Sequence, residues 1–128
     1  MTQPGAPDPR AKAPSRRGGD GAAVLRLRDL RVRYPSSERA TLDGLDLELA
    51  AGERLALVGP SGCGKSTVAR AVLRLLPPGS LCDGDLQLTG VDPRHLNAQA
   101  LRHLRGEAVG LVFQDPMTRL NPLLTIGE

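Results

Sequence analysis

Hydrophobic and polar positions alternate from Val24 to Tyr34, and the phase of that alternation shifts once. Leu25 and Leu27 share one face, while Leu30, Val32 and Tyr34 fall into step with each other after the shift. Successive side chains of a strand point to opposite faces, so this reads as one strand with a bend near Asp29. Pro35-Ser36-Ser37-Glu38 is a loop. Leu42 to Leu49 alternates again, with Leu45, Leu47 and Leu49 inward and Asp46 and Glu48 outward. Ala51-Gly52-Glu53 reads as a turn. The pattern therefore predicts two antiparallel strands before residue 54.

The pattern then changes. Leu55-Ala56-Leu57-Val58 is a continuous apolar run, which suits a strand buried on both faces. A glycine-rich loop follows. Lys65 to Leu76 has helical spacing, with Val68, Val72, Leu75 and Leu76 on one side, and Pro77-Pro78-Gly79 stops it. Asp85 to Thr89 is a short strand. Asn97 is placed to cap a helix running through Leu101 and Leu104 to Gly106. Ala108 to Phe113 predicts another strand, Gln114 to Pro122 a loop, and Leu123 to Glu128 the start of a further element.

Composition changes this picture in three ways. The 128 residues contain only two aromatics, Tyr34 and Phe113, so the core must be aliphatic. The net charge of +3 is concentrated at the N-terminus, where Arg10, Lys12, Arg16 and Arg17 face only Asp8 and Asp20. The rest of the chain is nearly balanced, and no nucleic-acid partner is expected. Residues 1–23, rich in Pro, Gly and Arg, cannot bury enough apolar surface to offset their ordering entropy and are expected to be a disordered tail. Residues 24–128 form the structured portion. There is no apolar run near the roughly 20 residues of a membrane span. Two cysteines, Cys63 and Cys82, are too few for a disulfide framework.

The candidate chemistry lies in Gly59-Pro60-Ser61-Gly62-Cys63-Gly64-Lys65-Ser66, followed by Thr67. The string fits G-x-x-x-x-G-K-[ST] and sits between a predicted strand and a predicted helix, as a phosphate-binding loop requires. Its glycines let backbone N–H groups converge on one concavity. The helix N-terminus adds partial positive charge there. Lys65 would reach the β- and γ-phosphates, and the Ser66 hydroxyl would ligate Mg²⁺. The chain has 15 Arg but only two Lys, one of them in this position. A planar guanidinium would not replace an ammonium in so tight a loop. Cys63 occupies a free position of the pattern. His95 and His103 match no motif and read as helix-surface residues.

Three further strings flank this loop: Val32-Arg33-Tyr34 with Thr41-Leu42-Asp43-Gly44-Leu45, then Leu104-Arg105-Gly106, then Val112-Phe113-Gln114-Asp115-Pro116-Met117 with Leu120-Asn121-Pro122. With them the chain resembles the ATP-binding subunits of ABC transporters, most closely the oligopeptide, dipeptide and nickel importer group. The resemblance implies an α/β P-loop NTPase of ABC type: an antiparallel β subdomain plus part of the P-loop core, ending after the Q-loop. It implies ATP and Mg²⁺ as cofactors. Tyr34 would stack on adenine, and residues 59–67 would hold the phosphates. Gln114 would approach Mg²⁺ and the attacking water as the one catalytic residue, and would couple the site to transmembrane permease subunits. Phe113 would pack behind it. Implied partners also include a second ATP-binding subunit and, indirectly, an extracytoplasmic solute-binding protein. The implied location is the cytoplasmic face of the membrane, as a peripheral subunit. Peptide is the leading cargo and nickel the second.

Members of this family also carry a Leu-Ser-Gly-Gly-Gln signature, a Walker B strand ending in Asp-Glu and a later switch histidine. None occurs in these 128 residues; all would lie beyond Glu128. The chain is therefore expected to bind ATP without hydrolysing it. Two other readings stay open. Asp115, after Gly110-Leu111-Val112-Phe113, could serve as a Walker B acid in a compact P-loop kinase or NTPase. Alternatively, the polypeptide could be a non-catalytic nucleotide-binding remnant.

Overall fold

The structure, a computed structural model, describes residues 23–112. Residues 1–22 and the segment holding Phe113, Gln114 and Asp115 lie outside the described residues, while Ala23, expected to end the tail, is the first residue of a strand. The chain divides after Leu96 into two units. The first contains β1 (Ala23–Arg33), β2 (Leu42–Ala50), α1 (Lys65–Val72), β3 (Leu81–Leu88) and a 3₁₀ turn, Pro93–His95. The second contains α2 (Ala98–His103) and a π turn, Leu104–Ala108.

The sheet runs β2-β1-β3 with both pairings antiparallel. Its register gathers the leucines. Leu27 lies opposite Leu47 on one side and Leu86 on the other, and Leu25 opposite Leu49 and Leu88. Directly opposed residues share a face, so the alternation read from the sequence assembles one apolar surface. Leu27, Leu30, Val32 and Leu86 are fully buried in it. Helix α1 lies against β3 and adds Val68, Ala71 and Val72, with Leu73 just past its end. Leu45, Leu47 and Leu49 are only half-buried, since β2 is an outer strand among the described residues. The opposite face pairs arginines with acids: Arg28 with Glu48 at 2.7 Å, Arg31 with Asp29 at 3.0 Å and with Asp43 at 3.3 Å. These pairs are exposed, so solvent screens them and they add little to stability.

The bend expected at Asp29 is a bulge that engages all three strands. The register shifts between Leu27 and Leu30 against β2, and between Arg28 and Arg31 against β3. Asp29 itself has φ 48°, and its N–H donates to Asp46 Oδ1 at 2.8 Å. The extra residue explains why Leu27 and Leu30, three apart, can both be buried.

Four expectations change. The run Leu55–Val58 is not a strand. Leu55, Leu57 and Val58 are 48%, 44% and 90% exposed. A strand buried on both faces needs ladder partners, and no strand lies beside this run among the described residues. Helix α1 ends at Val72 rather than Leu76. Arg74 turns left-handed (φ 53°), its N–H bonds Ala71 O at 3.0 Å, and Leu75 N–H bonds Arg70 O at 2.7 Å. That is a Schellman termination, complete before the prolines arrive. Strand β3 begins at Leu81, four residues early, because Arg31 to Arg33 of β1 supply partners for Leu81 to Asp83. Finally, Ala108 closes the π turn, and residues 109–112 join no ladder. The Asn97 cap forms as expected, accepting the Ala100 N–H at 2.8 Å, and His95 and His103 are exposed.

Arg94 braces β3. Its guanidinium donates to Cys82 O at 3.1 Å and Gly84 O at 2.8 Å, carbonyls two residues apart on this outer strand. Its Nε and Nη2 also grip the Asp92 carboxylate, whose Oδ1 caps the 3₁₀ turn through the Arg94 N–H at 2.9 Å. The Arg94 hydrogen bond holds the Asp92 carboxyl below the usual carboxylate range. A depressed carboxyl stabilises the fold above its unfolded value, and that stability disappears as pH falls through its folded value. Asp92→Asn is therefore expected to lower the urea midpoint at pH 7, and the gap from the parent should close below about pH 4. A gap that stayed constant down to pH 2.5 would show that the charge of Asp92 is not what the brace uses.

Candidate functional site

The loop between residue 59 and α1 is shaped by three local features. Gly64, the residue before the helix, is buried and left-handed at φ 97°. A Cβ there would come within 2.7 Å of Leu42 Cδ2 and 3.1 Å of Thr41 O, so the helix start is seated directly on the beginning of β2. Cys63 folds across the loop: its Sγ would be 2.7 Å from a Cβ on Gly59. A Cβ at Gly59 would therefore oblige the Cys63 thiol to turn aside.

The Lys65 side chain curls back over this loop. Its Nζ donates to Gly59 O at 2.8 Å and Pro60 O at 2.7 Å, and lies 3.5 Å from Cys63 Sγ. The ammonium is thus pinned at the loop itself. The first intrahelical bond runs from Val68 N–H to Gly64 O at 3.1 Å. The N–H groups of Lys65, Ser66 and Thr67 consequently have no acceptor within the helix. No acidic residue occupies the first turn, so no carboxylate of α1 competes for those donors. Ser66 is exposed beside them, while Thr67 is buried. The arrangement can hold an anion by backbone N–H groups and one fixed cation, with a free hydroxyl at its rim.

Tyr34 reaches the same helix. It stands just past β1, half-buried, and its hydroxyl lies 3.1 Å from Thr67 Oγ1. It also borders a cleft of about 330 Å³ lined by Arg33, Pro35, Ser37, Gly79 and Leu81. The fold thus brings Tyr34 to Thr67, in the first turn of the helix that the loop leads into. Gln114 lies outside the described residues, so its placement relative to them is not part of the picture. Sequence reasoning missed Gly79 and Leu81 as cleft walls. They lie more than 40 residues from Tyr34, and nothing in their local pattern signals that meeting. It also missed Thr41 and Leu42 as the seat of Gly64. Among the described residues, no group of His, Cys, Asp and Glu is arranged to hold a metal by itself.

Comparison with known proteins agrees with this geometry. The family model described as ABC transporter matches residues 42–128, which includes the loop, the helix and Asp115, and begins after Tyr34. Over 109 residues the chain is 41% identical to the uncharacterized ABC transporter ATP-binding protein YejF of Escherichia coli (strain K12), covering 82% of this chain and 21% of that protein. It is 36% identical to the oligopeptide transport ATP-binding protein OppD of Bacillus subtilis (strain 168), covering 82% of this chain and 30% of OppD. The dipeptide transport ATP-binding protein DppD of the same organism is 38% identical, with 82% and 32% covered. The chain therefore spans between about a fifth and a third of the length of these curated relatives. A match across most of the chain, with the loop-to-helix geometry above, establishes that it belongs to the ABC transporter ATP-binding family.

Proposed function

We propose that the chain forms the nucleotide-binding front of an ATP-binding subunit that drives peptide import. The observation that carries this reading is the start of α1: three N–H donors without intrahelical acceptors, Lys65 Nζ pinned beside them, and no competing acid. Such a site is built for a polyphosphate. Ser66, exposed at the rim, is the described residue that would ligate Mg²⁺. Residues Gly59, Pro60, Ser61, Gly62, Cys63, Gly64 and Thr67 complete the cradle. Gln114 would be the catalytic and second metal-facing residue. When bound, Mg²⁺ neutralises phosphate charge and ATP supplies the phosphoanhydride whose hydrolysis powers transport. Tyr34 supplies a stacking face beside a cleft of mixed lining, which suits a nucleobase.

Peptide as cargo is supported by the names of the relatives, among them oligopeptide and dipeptide transport proteins; nickel remains the second choice. Transmembrane permease subunits, a second ATP-binding subunit and, indirectly, an extracytoplasmic solute-binding protein are the proposed partners. A peripheral position on the cytoplasmic face is the proposed location. Within the described residues no helix is long and apolar enough to cross a membrane. The family match extends across Asp115, which favours this reading over a compact kinase.

The test is equilibrium titration of the 128-residue chain with MgATP and with pyrophosphate, alongside a phosphate-release assay. MgATP should bind with no turnover. Tyr34→Ala should weaken ATP roughly tenfold, the worth of one stacked base, and leave pyrophosphate unchanged. Equal losses for both ligands would remove Tyr34 from the base-stacking role, and Mg²⁺-dependent turnover lost in Lys65→Ala would revive the compact-NTPase reading.

A further inference from the structure

Gly64 has two duties at the start of α1. Its carbonyl accepts the first intrahelical bond, from the Val68 N–H at 3.1 Å, and its left-handed backbone at φ 97° delivers the chain into Lys65, Ser66 and Thr67. It is buried, and what covers it comes from another element. The point where a Cβ would stand lies 2.7 Å from Leu42 Cδ2, 3.1 Å from Thr41 O and 3.6 Å from Thr41 Cγ2. Leu42 opens β2 and is only 7% exposed. It stands opposite Val32 of β1, whose carbonyl accepts the Thr41 N–H at 2.7 Å. The surface under Gly64 is therefore held by the sheet.

We propose that Leu42 is a positioning residue for the phosphates: its side chain sets where Gly64 stands on the sheet, and with it the N–H donors of the first turn and Lys65. This role rests on the polyphosphate reading of the loop given above. A glycine has no side chain with which to grip a neighbour, so its place is set by backbone bonds and by what presses on it. Apolar groups in contact hold each other closely, because dispersion falls off steeply across a gap. Hydrogen bonds weaken steeply as their angle closes, so a small tilt of the first turn impairs several donors at once. Leu42 offers no polar side-chain atom to a phosphate, and its effect on phosphate affinity passes through Gly64. Ligands with the same phosphates should therefore feel its loss equally, whether or not they carry a base.

The experiment titrates the full 128-residue chain with MgATP and with inorganic tripolyphosphate in parallel. Leu42→Ala, which empties the seat, should weaken both ligands by the same factor of about tenfold, the worth of one hydrogen bond to a charged group. Leu42→Met, which keeps the reach of the side chain, should stay within about twofold of the parent. Leu27→Ala is the control. Leu27 is fully buried on β1 opposite Leu47 and Leu86, so the same truncation removes at least as much buried apolar surface without emptying the seat. It should leave both affinities within about twofold of the parent. Circular dichroism and urea midpoints check that each variant is folded. If either alanine variant does not fold, Leu42→Val and Leu27→Val replace the pair and are compared in the same way. Equal losses at Leu42 and Leu27 would overturn the positioning role and make the effect a general loosening of the sheet. Unchanged tripolyphosphate affinity in the Leu42 variant would overturn it as well. In a parent that binds tripolyphosphate as tightly as ATP the stacking role of Tyr34 fails, while a loss of tripolyphosphate confined to the Leu42 variant still upholds that of Leu42. A parent that binds neither ligand overturns the polyphosphate reading, and the role of Leu42 with it.

Discussion

Lys65→Ala is expected to weaken MgATP about 100-fold, with little loss of fold stability. The size follows from the bonds at stake. Nζ is held by two loop carbonyls at 2.8 Å and 2.7 Å, so the charge stands at the loop before any ligand arrives. An ammonium has three donors, two of them on these carbonyls, and the charge-assisted bond that the third makes to phosphate is worth roughly 1.5–3 kcal/mol, whose upper part gives about the stated factor. The loss for stability is small because these bonds are exposed and water replaces them. Lys65→Arg should fare almost as badly, since a planar fork cannot satisfy two converging carbonyls and a phosphate within the same loop. Isothermal titration with ATP and tripolyphosphate measures the effect, and the urea midpoint provides the control. ATP affinity within about threefold of the parent in Lys65→Ala would mean the ammonium serves the loop and not the ligand.

Gly84→Ala should cost about 3 kcal/mol or more of stability, a large fraction of what a small domain has. Gly84 sits in β3 at φ 91°, opposite the Asp29 bulge. A Cβ there would press on the Asp29 carbonyl oxygen, 2.7 Å from Asp29 C and 2.8 Å from Arg28 O. The obstacle is backbone on the central strand, so it cannot swing aside as a side chain would. Gly90 is the matched control. It has φ 83° but nothing within 4 Å of its Cβ position. Gly90→Ala should therefore lose only the left-handed penalty of about 1–2 kcal/mol. Urea denaturation of both variants separates the terms. Equal losses would mean that conformation alone, and not crowding at the bulge, makes Gly84 necessary.

The physical basis of what could be read from the chain is visible in β1. Alternation is a local property: Leu25, Leu27, Leu30, Val32 and Tyr34 announce both the strand and its phase shift, and the bulge at Asp29 follows. The loop 59–66 was equally legible, because its glycines and lysine serve local backbone geometry. Leu55–Val58 shows the opposite case. Its composition satisfies a buried strand, but a ladder needs neighbours, and hydropathy does not report whether they are there. The end of α1 was misread for a related reason. Leu75 and Leu76 continue the helical spacing, yet Arg74 leaves the helix in a left-handed turn that sequence pattern does not favour.

By itself, then, the sequence determined what is written within about ten residues: the alternating strands, the capped helix after Asn97, the glycine-rich loop that leads into α1 and the lysine that opens that helix. Only the tertiary structure decided which distant residues meet. It seats Gly64 on Thr41 and Leu42, braces Cys82 and Gly84 with Arg94, and ties Tyr34 to Thr67. Each of these depends on how one segment packs on another, and packing is a property of pairs of segments. The pattern of either segment alone cannot specify it.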